Sequence, residues 1–323
     1  MDFWKDKKVV VTGAGGIAGQ NTVRELLNRG AIVRAILGQK RHLDFSHPNL
    51  SIFYRNLLNY DDCLFATKDQ EIVIDLAAVT GGAKAQQERQ LQFARDNTTI
   101  HVNVITAAVE NKVARFGFVG SSTMYPAYPF VTEKDGFRED PWEGYMGVGW
   151  TKRYLEKLCM IFHKQSNTKF TIARTTALYG PFDDFNLDTC HVIPALVHKI
   201  SDKQNPLEVW GDGSEKRNFI YVEDFVDGLL LMLETYCEAD PINITSSEIS
   251  TVQDVIQYAI EKVNYSPDIN YDKTKPTMIP IRIVSTSKAE RILNWKAKTS
   301  LKEGIAKTIN WYREICNEKE NNT

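Results

Sequence analysis

A chain of 323 residues has room for one large domain and a smaller partner, and 43% hydrophobic with 25% charged residues is the composition of an ordinary globular protein. A formal net charge of −2 without a long basic run gives no electrostatic reason to expect nucleic acid or a membrane surface as partner, and no apolar run approaches the roughly 18 residues of a membrane span. Five cysteines, an odd number without a C-x-x-C pair, argue against a disulfide framework or a metal site, and residues 1–8 carry no export pattern, so a cytoplasmic protein with reduced thiols is expected.

In chain order, apolar runs at 9–12, 32–37, 52–54, 72–76, 116–120 and 170–174 predict strands, with helices over 20–29, 86–111 and 149–165 among them. Such alternation implies βαβ units around a parallel sheet covered on both faces. The long helices at 86–111 and 149–165 are the pair expected to form a homodimer. Beyond Tyr179-Gly180-Pro181 the pattern loosens into a helix near 191–203 and a βα-like unit over 219–233. Short helices at 251–263, 287–293 and 301–317 then alternate with Pro-containing connections, as in a lid.

The first strand runs into Thr12-Gly13-Ala14-Gly15-Gly16-Ile17-Ala18-Gly19 and then a helix. Gly13, Gly16 and Gly19 meet the spacing of a dinucleotide-binding turn, in which glycine permits the bend and lets backbone N–H groups approach a pyrophosphate at a helix N-terminus; Ile17 opens that helix. The expected fold is α/β: a Rossmann-type doubly wound parallel sheet from 1–179 and 218–241, with a smaller C-terminal α/β substrate-binding domain from 180–217 and 242–323. NAD sites place an acid at the end of the second strand, but here Ile36-Leu37-Gly38 leads to Lys40 and Arg41. Cations there suit a 2′-phosphate, so NADP is favoured over NAD, which stays open; the plainer alternative is a solvated basic loop.

Several spaced motifs carry a resemblance. Leu76-Ala77-Ala78-Val79-Thr80-Gly81-Gly82, Gly120-Ser121-Ser122-Thr123-Met124-Tyr125-Pro126, Gly180-Pro181-Phe182-Asp183-Asp184-Phe185 with Cys190-His191-Val192-Ile193-Pro194-Ala195-Leu196, Val209-Trp210-Gly211-Asp212-Gly213, and Arg217-Asn218-Phe219-Ile220-Tyr221-Val222-Glu223-Asp224 follow in register. On these the chain resembles the extended short-chain dehydrogenase/reductase family, the NAD-dependent epimerase/dehydratases, and within it the GDP-L-fucose synthase branch, over nearly its whole length.

The resemblance implies roles. Ala77 and Ala78 would lie beside the nicotinamide, and Asn56 and Leu57 would complete the cofactor site. Ser121 would donate to the sugar oxygen, and Lys152 would bind the nicotinamide ribose and activate a tyrosine four residues earlier. That position is Val148, the most informative departure. An unperturbed phenol near pKa ~10 is a poor base at neutral pH, which is why the family's tyrosine needs its lysine. Tyr145, seven residues before Lys152, is the candidate for a relocated acid/base, with substrate contact or packing as its other reading. His191 keeps the family's carbon acid/base histidine, whereas the partner cysteine is Thr123, which leaves a single epimerisation open and a double one in doubt. Arg217 would grip the nucleotide diphosphate, Lys199 would stand near a second basic position, and Trp210 would stack on the base. Thr175 and Ala177 replace the family's proline and asparagine, so the sugar does not transfer with the resemblance.

The function expected is that of a nucleotide-sugar epimerase or reductase. It would act on an NDP-sugar, GDP-linked, through a 4-keto sugar, in bacterial-type deoxysugar or polysaccharide precursor synthesis. An NAD-retaining 4-epimerase or dehydratase, and a nucleotide-binding homologue impaired by Val148, stay open beside it.

Overall fold

Strand β1 (Lys8–Thr12) is buried at every position after Lys8. An unbroken Val9-Val10-Val11 run suits a strand covered on both faces. It pairs in parallel with β2 (Ile32–Leu37) on one side and β4 (Ile72–Asp75) on the other. Strand β3 (Leu50–Tyr54) extends one side; β5 (Arg115–Ser121), β7 (Lys169–Thr175) and β12 (Ile242–Asn243) extend the other, giving the order β12-β7-β5-β4-β1-β2-β3. Every pairing in this sheet is parallel. The chain leaves β1 in one direction and resumes at β4 in the other, so a crevice opens at the carboxyl ends of these two strands. The computed structural model describes residues 3–39 and 41–321, with side chains as far as Cys316.

Helices α1 (Ile17–Asn28) and α7 (Val222–Thr235) close one face through Val23, Leu26, Phe225, Leu229 and Leu233. On the opposite face α2 (Tyr60–Thr67), α4 (Gln90–Glu110) and α5 (Met146–Gln165) bury Ala66, Val104, Ala108, Leu155 and Cys159 against Phe116 and Phe118. A second core forms the lid. It is built from α6 (Val192–Ser201), α8 (Val252–Val263) and α10 (Leu301–Asn321) around Val197, Ile200, Val255, Ala259 and Ile305. Its strands β9 (Leu207–Trp210) and β14 (Ile269–Asp272) pair in parallel, as do β8 (Ala177–Tyr179) and β11 (Phe219–Tyr221) between the lobes. A four-stranded sheet, β13 (Ser250–Thr251), β10 (Lys216–Arg217), β15 (Ile281–Val284) and β6 (Phe130–Val131), stitches the lobes together.

Three expectations change. The helix over 86–111 is two helices, α3 (Ala83–Glu88) and α4, because Arg89 leaves helical geometry (φ −117°, ψ 28°) where its guanidinium lies 5.3 Å from the Phe93 ring. Helix α5 starts at Met146, three residues early, which takes Val148 into its first turn. The second lid segment does not begin at 242: Ile242 pairs with Ala173 in the central sheet, and Ala289 and Trp295, on and just after α9 (Ser287–Leu293), pack into the core under α7.

Candidate functional site

At the crevice, Gly13 holds φ +61°, and a Cβ there would stand 2.6 Å from Leu76 O. A Cβ on Gly19 would stand 2.2 Å from Gly13 O. Both positions therefore demand glycine, one for its backbone angle and one for close approach of helix to turn. Gly16 caps α1 without a side-chain hydrogen bond, and no acid occupies the first turn from Ile17. The orphan N–H groups and the positive end of the helix dipole are thus left without a counter-charge from the chain, which is the environment a dinucleotide pyrophosphate needs.

At the end of β2 Leu37 is buried while Gly38 and Gln39 are open, so the structure places no acid on that strand end. Arg41 is exposed and its side-chain stem crosses Gly15. Lys40 lies outside the described residues. Arg55, which sequence reasoning passed over, donates its N–H to Leu37 O at 3.0 Å and pairs with Asp62 at 3.4 Å. Asn56 donates its N–H to the same Asp62 carboxylate, and Leu57 is buried just beyond it.

Register places Thr12 beside Asp75 at the ends of β1 and β4. Thr12 Oγ1 donates to Asp75 Oδ1 at 2.6 Å and accepts from the N–H groups of Leu76 and Ala77 at 3.1 Å, which holds the turn where that loop starts. Ala77 is buried and Ala78 exposed. On the next strand β5 ends at Ser121, whose Oγ accepts from Thr123 N at 3.2 Å and from Thr123 Oγ1 at 3.0 Å. Lys152, half-buried on α5, donates to Val119 O at 2.8 Å. Burial depresses its pKa to about 8, against the pull of Asp75, Glu156 and Cys159. Val148 stands one turn earlier on α5 and has no proton to give.

Tyr145 is elsewhere. It caps the N-terminus of α5, with the Trp142 ring edge-on at 5.3 Å. Burial raises the pKa of its phenol, and the charges that oppose this are Arg217 and Arg282. Strands β10 and β15 pair in parallel with Arg217 directly beside Arg282, and the charges of both act on this tyrosine. Arg282 is buried: Nη2 donates to Tyr125 O at 3.3 Å, while Nε and Nη1 are buried without a protein acceptor. Desolvation, with Arg217 alongside, pushes its pKa down to about 10. Two neighbouring cations with unused donors are the kind of group that could hold a diphosphate. Sequence reasoning found Arg217 and missed Arg282; the only local signal was a cation inside an otherwise apolar strand.

His191 caps α6 and opens onto the cleft, yet surrounding groups desolvate its ring and push its pKa below the ordinary imidazole value, with Asp184 pulling the other way. Gly82 N donates to Thr189 O at 3.0 Å, and a Cβ on Gly82 would meet Cys190 O at 2.3 Å. The loop after β4 therefore docks on the segment that carries His191. Lys199 spends its ammonium on Glu208 O at 2.9 Å, and Trp210 ends β9 with 39% of its surface exposed. Neither shares a hydrogen bond with Arg217 among the described residues. No described helix is long and apolar enough to cross a membrane, and no cluster of His, Cys, Asp or Glu suited to a metal occurs among the described residues.

A glycine turn at the switch point of a parallel sheet, a serine and lysine beside it, and two neighbouring arginines at the lid are the layout of a dinucleotide-dependent enzyme. The chain belongs to the NAD dependent epimerase/dehydratase family, whose model matches residues 9–245. It is 30% identical over 313 residues to a GDP-L-fucose synthase of Sinorhizobium fredii, covering 94% of each chain. To GDP-L-fucose synthase 1 of Arabidopsis thaliana it is 29% identical over 323 residues, covering 97% of this chain and 95% of the relative. Its fold matches a GDP-L-fucose synthetase from Naegleria fowleri bound to NADP, with a TM-score of 0.83 at 24% identity over 97% of this chain and 94% of that one.

Proposed function

We propose that the protein binds NADP(H) in the Gly13–Gly19 turn and reduces or epimerises a 4-keto sugar carried on a nucleoside diphosphate, GDP-linked by likeness to the fucose synthases. The observation that carries this reading is the Arg217–Arg282 pair at Tyr145, on the lid side of a site whose other wall holds Ser121 and Lys152. The two guanidiniums neutralise the diphosphate, and Tyr145 donates to it between them. Ser121, its Oγ already accepting from Thr123, turns its own proton toward the sugar oxygen. Lys152 would hold the nicotinamide ribose, and the cofactor would supply or accept the hydride. His191, neutral at physiological pH, takes a proton from a carbon next to the ketone. We place Lys199 and Trp210 at the nucleoside end of the lid, and Asn56 and Leu57 at the adenosine end of the cofactor site.

The NADP preference rests on Arg41 and the missing acid at β2; NAD binding remains the alternative. A homodimer through α4 and α5 is supported by Trp150, Tyr154 and Ile161, exposed on α5 at spacings that share one face. We assign it to the cytoplasm, where thiols such as Cys190 stay reduced.

The test is thermal denaturation with GDP-, UDP-, CDP- and dTDP-sugars, each with NADPH or NADH. A bound ligand raises the midpoint by mass action. A shift with GDP-sugar plus NADPH is expected; no shift with any nucleotide sugar overturns the assignment. Val148 keeps a second reading alive, a homologue that binds both ligands and does not turn over, which the same ligands in an absorbance assay at 340 nm would reveal.

A further inference from the structure

Asp75 ends the central strand β4 with no exposed surface worth the name, and both of its oxygens are engaged: Oδ1 by Thr12 Oγ1 at 2.6 Å and Oδ2 by His101 Nδ1 at 2.7 Å. All three side chains are buried. Thr12 has the N–H groups of Leu76 and Ala77 as donors, so its own proton goes to Asp75. A carboxylate only accepts, so Nδ1 of His101 carries a proton. Burial keeps the imidazole neutral, which leaves Nε2 as a lone pair, buried and without a hydrogen-bond partner in the protein.

The ring of His101 lies edge-on to Phe118 at 5.4 Å, and Lys152 Nζ stands 4.9 Å from the centre of the same ring. Lys152 is the cation whose charge opposes protonation of His101. The groups that face Lys152 are Asp75 from β4 and Glu156 and Cys159 from α5; those that face His101 are Asp75 and Lys152. An ammonium has three donors, and one of those on Lys152 goes to Val119 O. A buried acceptor without a donor and a half-buried ammonium with spare donors share one aromatic wall.

We propose that His101 is a positioning residue for Lys152: fixed by Asp75 as the Nδ1–H tautomer, it presents the Nε2 lone pair toward the ammonium and keeps the lysine charged and oriented without the tyrosine that Val148 replaces. Through Thr12 the same chain of bonds reaches the backbone of Leu76 and Ala77, so cofactor loop and lysine share one buried support. The consequence for cofactor binding rests on the function proposed above; the pairing of His101 with Lys152 does not.

Two measurements separate these. In protein carrying 15N-labelled imidazoles, with the His101 signals assigned by their loss in His101→Gln, the ring is expected as the neutral Nδ1–H tautomer at pH 7. In Lys152→Met it should take up a proton at a pH at least one unit higher, since the opposing cation is gone. An Nε2–H tautomer, or the same titration in Lys152→Met, overturns the pairing, whatever the enzyme acts on. The second measurement is NADPH affinity against pH. His101→Leu should move its alkaline decline at least half a unit lower, because the ammonium has lost an acceptor, and His101→Gln, which keeps one, should recover part of the shift. Identical profiles for wild type and His101→Leu overturn the positioning role. Failure of wild type to bind NADPH sinks the proposed function and leaves the imidazole titration to decide the pairing.

Discussion

A Cβ added to Gly15 would stand 2.5 Å from the Cβ of Arg41, so the arginine stem lies across the glycine turn itself. Its guanidinium is exposed and next to a strand end without an acid. NADPH should bind more tightly than NADH, and Arg41→Ala should weaken NADPH by about tenfold, the lower part of the range for a hydrogen bond to a charged group, given its exposure. NADH affinity should hardly change. Fluorescence titration of both cofactors checks this, and unchanged NADPH affinity in the variant would remove Arg41 from the site.

Tyr145 is set between arginines, away from the groups that act on Lys152. Tyr145→Phe deletes only the hydroxyl, so KM for the nucleotide sugar should rise by roughly tenfold to a hundredfold, the worth of one hydrogen bond to a charged group, with kcat little changed. A fall in kcat of a hundredfold with KM intact would instead make Tyr145 the acid/base.

Val148 occupies the helix position one turn before Lys152. Val148→Tyr should raise NADPH-dependent turnover by about a hundredfold or more, the usual scale of a general acid. Unchanged turnover, measured at 340 nm, would show that Ser121 and its surroundings already supply the proton.

His191 is the one member of the proposed carbon acid/base pair with a workable base, its partner position being Thr123. A 4-keto nucleotide sugar incubated in D2O should gain deuterium at one carbon beside the ketone, and His191→Ala should abolish it, as read by mass spectrometry. Because the imidazole pKa is lowered, its basic form persists to more acid pH than usual: the acid limb of the exchange rate should lie below the ordinary value near ~6.5. Deuterium at both neighbouring carbons with equal efficiency would refute the single-base reading.

Lys152, with its pKa pushed down to about 8, is an ammonium below that pH and neutral above it. The sign follows for stability too: between about 8 and the unfolded value near ~10.4 the unfolded chain holds the extra proton, so this group's contribution to stability rises with pH across that window. Cofactor binding should run the opposite way, since the ammonium is the form proposed to hold the ribose. NADPH affinity should therefore fall above about pH 8 while the apo protein loses nothing there from Lys152. Affinity flat to pH 10 would contradict the assignment.

What the sequence reveals of this site follows the range of each constraint. The glycine turn is legible because a positive φ at Gly13 and a 2.2 Å approach at Gly19 can be met only by glycine, whatever lies beyond. Ser121 and Lys152 are assigned through the family resemblance of the motifs around them, and the structure sets Ser121 at the end of β5 and Lys152 on α5. Arg282 is not legible, since its meaning comes from strand register with Arg217, 65 positions away. His101 reads as one polar residue in an apolar helix face until Asp75 is seen across from it. Tyr145 shows the limit of periodicity: spacing puts it on the lysine's side of an extended helix, but α5 begins at Met146 and a 3-10 turn redirects the ring. The break at Arg89 has no glycine or proline to announce it.

The path of the chain between the two lobes limits how such an enzyme can change. After α6 the backbone returns to the sheet for α7 and β12, goes out to α8, comes back to bury Trp295, and leaves again for α10. Neither half is an uninterrupted run of residues, so no single crossover between two related genes can transplant an intact lid, and a fragment encoding one half would carry torn edges of both cores. Recombination is a poor route to a new sugar here. Substitution is the open one, because the side chains proposed to meet the ligand, from Tyr145 to His191 to Arg282, stand on separate short segments and can be altered one at a time.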